Sequence, residues 1–176
     1  YGDSERFYEA VRIADNQIGR ISQAVKEREE QLDEDWLIVI TTDHGRDSVT
    51  GKHHGGQSDR ERLIWIVTNA DSLNERFKQA PGVVDIMPSI CNHMGIPLPE
   101  EIQQEIDGVP FIGAADFSNL TAEITDGKNV LRWENLGDGS EKAEVSITER
   151  NRFREADRDE YRRIGVESVA RENFAL

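Results

Sequence analysis

The feature that most constrains the fold is a run of apolar, mostly β-branched residues that ends at an acid and a histidine. Residues 36–42 read Trp-Leu-Ile-Val-Ile-Thr-Thr, and Asp43-His44-Gly45 follows directly. A short continuous run of this kind is typical of a strand that is buried on both faces of an α/β sheet. Residues 63–68 predict a second buried strand of the same type. Functional side chains of such sheets gather where strands end, which draws attention to Asp43 and His44.

Two segments have the periodicity of helices that cover a sheet. The first is expected to begin at an N-cap, Asp3 or Ser4, and to end in the charged run 26–34. Residues 83–94 predict the second helix, because apolar residues recur there at spacings of three and four. The residues of this second helix expected to face inward are Val84, Met87, Ile90, Cys91 and Met94.

The pattern changes to short segments of alternating polarity after residue 115, separated by glycine-containing turns. The expected strands are 120–125, 130–134, 143–148 and 161–169. We therefore expect residues 116–176 to form a separate small β-sandwich module after an α/β part. Trp133 is expected to point into its core and to pack against Leu120 or Val145.

The charge balance excludes several classes of partner. The 176 residues include 35 acidic and 21 basic side chains, a net charge of −14. A general nucleic-acid surface or an anionic membrane would require a basic face, which this composition argues against. No apolar run approaches the roughly 20 residues of a membrane span. The single cysteine, Cys91, excludes an internal disulfide framework.

Three of the four histidines lie close together in sequence, in the loop that follows the first strand. Asp43 and His44 are followed by His53 and His54, and glycines flank both groups. Carboxylate oxygen and imidazole nitrogen are suitable ligands for zinc or manganese. The alternative is that Asp43 caps the loop and that the histidines are simply solvated. Spacing alone leaves both interpretations open.

The wider context favours a metal site through resemblance to a known family. The segments Thr-Thr-Asp-His-Gly at 41–45 and Gly-Lys-His-His-Gly-Gly at 51–56, with Asp-Ile-Met-Pro-Ser-Ile at 85–90 and Ile-Asp-Gly-Val-Pro at 106–110, carry it. Together they resemble the type I phosphodiesterase and nucleotide pyrophosphatase branch of the alkaline phosphatase superfamily. The resemblance implies an α/β fold, an alkaline-phosphatase-like sheet flanked by helices, of which residues 1–115 would be the C-terminal half. The module at 116–176 resembles a fibronectin-like tail and is expected to be truncated.

The resemblance also implies a function and the residues that perform it. Enzymes of this family hydrolyse phosphodiester or phosphoanhydride bonds with two divalent metal ions, usually zinc, and a Thr or Ser nucleophile. Asp43 and His44 would bind the ion that activates the nucleophile, and His54, which directly precedes the Gly-Gly pair, would bind the other. His53 would line the substrate pocket or be solvated. The expected substrate is a small phosphodiester or a nucleotide.

The chain departs from the family pattern upstream of His44. The family's Asp-x-x-x-His ligand pair and its nucleophile motif are absent. Both are expected in a missing N-terminal half, so we expect the chain alone to be inactive and the nucleophile to lie outside it. The alternatives are a sulfatase or phosphomonoesterase of the same superfamily, or an inactive scaffold whose β module binds a glycan or a partner. Enzymes of this kind with β tails imply a periplasmic or extracellular location.

Overall fold

The computed structural model describes residues 4–152, 155 and 158–175, a mixture of helices and short antiparallel strands. It divides at residues 70 and 71 into two compact units. The helices are α1 (Glu5–Leu32), α2 (Asp59–Arg62), α3 (Glu75–Lys78), α4 (Ile86–His93) and α5 (Glu100–Gln103). The strands are β1 (Val39–Thr41), β2 (Ile66–Thr68), β3 (Phe117–Thr125), β4 (Lys128–Asn135), β5 (Lys142–Ile147), β6 (Arg162–Ser168) and β7 (Asn173–Ala175). Within the described residues, no helix combines the length and the apolar character needed to cross a bilayer.

Helix α1 begins and ends where local chemistry favours a boundary. The Ser4 hydroxyl accepts a hydrogen bond from the amide of Phe7, as an N-cap does, and Asp33 ends the helix in a left-handed conformation. The charged run therefore contains the end of the helix, as predicted. No residue of α1 is buried in the described structure, and Ile21 of its apolar stripe is 61% exposed.

Strands β1 and β2 form an antiparallel pair in which Ile40 lies opposite Val67. The existence of both strands was predicted correctly, but their expected burial on both faces was wrong. Trp65 and Val67 are 51% and 54% exposed. Two strands alone leave both faces of a sheet open, and further strands or helices are needed to bury them.

Helix α4 confirms the predicted helix and corrects its predicted orientation. A 3-10 turn at Val83–Asp85 precedes it. The buried side chains are Asp85, Pro88 and Ser89, whereas all but one of the residues predicted to face inward are exposed. Ser89 Oγ accepts a hydrogen bond of 2.8 Å from the amide of buried Phe111. Asp85 and Ser89 are thus buried because their side chains accept hydrogen bonds from a neighbouring segment of backbone.

Asp85 is the centre of this arrangement. Its carboxylate accepts hydrogen bonds from the amides of Gly82 and Val109 and from Nη2 of Arg76, at 2.7–2.8 Å. A Cβ on Gly108 would lie 2.0 Å from the carbonyl oxygen of Val84, so this close approach requires glycine. The Asp-Ile-Met-Pro-Ser-Ile segment therefore fastens α4 to the segment that ends at Phe111.

The five later strands form two small antiparallel sheets, ordered β3-β4-β7 and β5-β6. All four predicted strands are present. Asp126 and Gly127 both have positive φ in the β3–β4 hairpin, as the Asp-Gly pair predicts. Ser118 of β3 donates to the side chain of Gln79, so these strands share a compact unit with residues 71–115. The boundary at residue 115 and the fibronectin-like sandwich stay predictions.

Trp133 lies in the core of this region, as predicted. It is 5% exposed, its Nε1 donates to the carbonyl of Val169 at 2.8 Å, and it clusters with Val169 and Ala143. The predicted partner was Leu120 or Val145: Leu120 is 59% exposed, Val145 is buried but is not a member of this cluster, and the partly buried side chains packed against it are Phe117, Leu131 and Phe174. Asn119 and Leu120 form a β-bulge between the paired residues of β3 and β4, opposite Trp133. The extra residue turns Leu120 away from the core.

Candidate metal centre

The turn after β1 is held close to the end of α2. The amide of Gly45 donates to the carbonyl of Glu61 at 2.8 Å. A Cβ at Gly45 would lie only 1.9 Å from the carbonyl oxygen of Arg60. Only glycine permits this approach, so the Asp-His-Gly sequence fixes where Asp43 and His44 leave the strand.

His44 is oriented by its neighbours on both sides. Its Nδ1 lies 2.7 Å from the carbonyl oxygen of Gly45. A carbonyl only accepts hydrogen bonds, so Nδ1 is the donor in this contact. Nε2 lies 3.3 Å from a carboxylate oxygen of Asp43. A backbone carbonyl that accepts from one ring nitrogen and orients the ring is typical of metal-binding histidines.

The structure brings His54 to the same place. Its ring stacks on that of His44, with 4.4 Å between ring centroids and 26° between ring planes. His44 thus contacts both Asp43 and His54, although the two histidines are ten positions apart in the sequence. His53 is held through its backbone, because its amide donates to Asp47 at 3.0 Å, and the residue is exposed.

Asp47 organises the loop that carries His53 and His54. One carboxylate oxygen accepts from the amides of Val49 and Thr50, and the other accepts from the amides of Lys52 and His53 and from the Thr50 hydroxyl. Hydrogen bonds from Thr50 and His53 hold the pKa of Asp47 well below its usual value. Sequence reasoning missed this residue. The available signal was an Asp followed by Thr three residues later, a turn-forming pattern.

Glu61 holds the other end of the loop. Ser58 and Glu61 form a capping box at the start of α2, and the Glu61 carboxylate also accepts from the amide of Gly56 at 2.9 Å. These bonds, the one from the Ser58 hydroxyl foremost, lower the pKa of Glu61. A Cβ on Gly56 would lie 2.4 Å from a Glu61 oxygen. Sequence reasoning missed this role too, although Ser-x-x-Glu is a recognisable signal.

The side chains of Asp43, His44 and His54 are of the chemical types that bind divalent ions. One carboxylate and two imidazoles suit zinc or manganese. In the part of the chain that the structure describes, no three His, Cys, Asp or Glu side chains converge on one point as a complete ligand set. The loop thus gathers Asp43, His44 and His54 without closing a coordination shell, and their roles as ligands stay predictions.

Comparison with known proteins finds partial similarity to two kinds of enzyme. The chain is 29% identical over 98 residues to a 2,3-bisphosphoglycerate-independent phosphoglycerate mutase of Clostridium tetani, a match that covers 53% of this chain and 18% of the mutase. It is 31% identical over 105 residues to GPI ethanolamine phosphate transferase 2 of Schizosaccharomyces pombe, covering 49% of this chain and 13% of the transferase.

No family model and no solved structure matches the chain. Both relatives carry names of enzymes that move a phosphoryl-containing group. The similarities support the alkaline phosphatase superfamily that the motifs indicate, and no narrower branch of it.

Proposed function

We propose that this chain is part of a metal-dependent phosphoric ester hydrolase of the phosphodiesterase or nucleotide pyrophosphatase type. The observation that carries the proposal is that His44 lies between Asp43 and His54 at the end of β1, with Nε2 directed at the Asp43 carboxylate and the ring stacked on that of His54. The partial similarity to enzymes of phosphoryl transfer supports the same chemistry.

In this proposal the three side chains divide between two divalent ions, zinc or manganese. Asp43 and His44 hold one ion, and His54 holds the other. Two such ions, when bound, neutralise charge on the attacking and leaving oxygens of a phosphoryl group. The Gly45 carbonyl keeps the His44 ring turned toward Asp43, and the exposed ring of His53 lines the substrate pocket.

The remaining parts of the site come from an N-terminal half of the same enzyme. A catalytic zinc typically has three protein ligands, whereas the described side chains supply two for one ion and one for the other. That half would also contribute the Thr or Ser nucleophile and complete a sheet flanked by helices. The exposed apolar residues of α1 and β2 support this, because association would cover them. A periplasmic or extracellular location, and a small phosphodiester or nucleotide as substrate, belong to the same proposal.

Turnover by the longer enzyme tests the proposal. We would load it with Zn²⁺ or Mn²⁺ and compare nitrophenyl esters of three kinds: a phosphodiester, a phosphomonoester and a sulfate. The phosphodiester should be cleaved fastest, and Asp43→Asn should lower the rate by at least about 10²-fold, since metal-borne charge stabilisation is lost.

Asp59→Asn is the matched control, because Asp59 is exposed and pairs only with Arg62 among the described residues. It should keep the parent rate. Preference for the sulfate or the monoester would favour the alternative activities. The absence of any cleavage with metal present would leave the inactive scaffold as the better account.

A further inference from the structure

We propose that Asp47 is a positioning residue that holds His54 against His44 through the backbone of residues 48–53. The inference rests on the proposed function, in which His54 binds a metal ion. It goes further by assigning the geometry of that histidine to a carboxylate that is not among the proposed ligands and whose hydrogen bonds are all within the loop.

Every polar group of Asp47 is directed at this loop. Besides the five donors on its carboxylate, its amide donates to the carbonyl of His53 at 2.9 Å, and its carbonyl accepts from the amide of Gly51 at 3.2 Å. Gly51 is buried and has φ of 64°, a conformation that glycine adopts without strain. The residue immediately before His54 is thus bonded to Asp47 through both its amide and its carbonyl.

The Asp47 carboxylate is held in place by hydrogen bonds and not by an ion pair. In the described part of the chain, no lysine or arginine forms an ion pair with Asp47, and its acceptors are filled by four amides and one hydroxyl. Carboxylates that accept several amide hydrogen bonds order the backbone that donates them. The ordered stretch runs from Val49 to His53, so the direction in which His54 leaves it is set as well.

Substitutions at Thr50 can isolate the contribution of one hydrogen bond to Asp47, the one from the Thr50 hydroxyl. Its hydroxyl donates to Asp47 at 2.7 Å and accepts from the amide of Lys52 at 3.2 Å. Thr50→Val removes the hydroxyl and keeps the shape, whereas Thr50→Ser keeps the hydroxyl. A role of Asp47 in ordering the loop therefore predicts a loss in the first variant and rescue in the second.

The test uses the whole chain and Zn²⁺ as the probe. Ring signals of His44 and His54 would be followed by NMR, first without metal and then during a zinc titration, and amide exchange would be measured over residues 48–53. Asp47→Asn should shift both ring signals, accelerate exchange and weaken zinc binding by about tenfold or more, the usual cost of losing support behind a ligand. Thr50→Val should change all three in the same direction by less, and Thr50→Ser and Asp59→Asn should match the parent.

The outcomes distinguish a failure of the positioning role of Asp47 from a failure of the proposed metal site. If Asp47→Asn keeps the parent ring signals and amide exchange, the positioning role is wrong, with or without zinc. If His54→Ala weakens zinc binding and Asp47→Asn leaves it unchanged, the metal site stands and the positioning role is overturned. If the parent binds no zinc but Asp47→Asn still shifts the rings, the loop role stands and this chain does not hold zinc without the rest of the proposed enzyme. A melting temperature close to that of the parent excludes global unfolding as the cause.

Discussion

At the scale of single residues, two glycines illustrate how closely the candidate site is packed. A Cβ on Gly45 would meet the carbonyl oxygen of Arg60 at 1.9 Å, whereas a Cβ on Gly19, within α1, would meet nothing within 4 Å. We expect Gly45→Ala to lower the free energy of unfolding by about 1–3 kcal/mol through forced backbone shifts. Gly19→Ala should raise it by about 0.5–1 kcal/mol, since alanine favours helix. Urea unfolding of both variants measures this, and equal effects would contradict the packing described for Gly45.

Only part of the site could be predicted from the sequence. Asp43, His44 and His54 stand out because their donor types and the adjacent glycines are visible in the chain itself. Asp47 and Glu61 do not, because their partners are backbone amides whose positions exist only once the loop has folded. Sequence reasoning therefore found the candidate ligands and missed the carboxylates that hold their loop.

At the scale of elements, the β-bulge in β3 decides which apolar side chain is in the core. We expect Trp133→Ala to cost about 3–5 kcal/mol, because a buried aromatic ring and its hydrogen bond to Val169 are lost. Leu120→Ala should cost less than about 0.5 kcal/mol, because Leu120 is exposed beside the bulge. Denaturant titrations of both variants, monitored by far-UV circular dichroism, would measure the two losses. A large loss for Leu120→Ala would mean that the bulge is absent in solution.

The capping box of α2 should make loop order depend on pH. Hydrogen bonds lower the pKa of Glu61 from its ordinary value of 4.5, so the stabilisation is present above that value and is lost as the pH falls through the lower, folded value. We expect the amides of Gly56 and Ser58 to stay protected from exchange at pH 5 and above and to lose protection in more acidic solution. In Glu61→Gln that acid dependence should disappear. An identical pH profile in both proteins would show that Glu61 does not hold the loop.

The existence of the helices and strands was more predictable than their burial. Apolar periodicity locates α4 and shows which of its faces is apolar, but it does not show what covers that face. The structure buries Asp85 and Ser89 instead, because the segment through Val109 and Phe111 supplies amides that these two side chains accept from. Such bonds join residues more than twenty positions apart, which local patterns do not encode.

At the scale of the whole molecule, the account predicts that this chain has no hydrolase activity alone. The described residues place three candidate ligands near one another without forming a complete ligand set, and the sequence lacks the nucleophile motif that the resemblance would require. Catalysis by this route requires the attacking oxygen to be held against a metal-bound phosphoryl group. The pure 176-residue chain, supplied with zinc or manganese, should not cleave a nitrophenyl phosphodiester above the rate in buffer. Metal-dependent turnover would show that the chain builds its own nucleophile site.

The predicted mixture of helix and strand is confirmed, while the larger architecture remains a proposal. A sheet flanked by helices requires several paired strands. The described residues of the first unit form one two-stranded pair. The similarity to the two named enzymes covers less than a fifth of either of them. Local motifs and this partial similarity support the superfamily and no narrower branch of it.

The metal content of the longer enzyme, measured by mass spectrometry beside its turnover rate, tests the proposed two-ion site most directly. We expect two ions in the parent and one in His54→Ala, with turnover lower by several orders of magnitude because one ion no longer carries phosphoryl charge. His53→Ala should keep both ions and lose about tenfold or less in rate. Loss of an ion in His53→Ala with retention in His54→Ala would reverse the assignment of the two histidines. A parent enzyme that holds no metal would contradict the account as a whole.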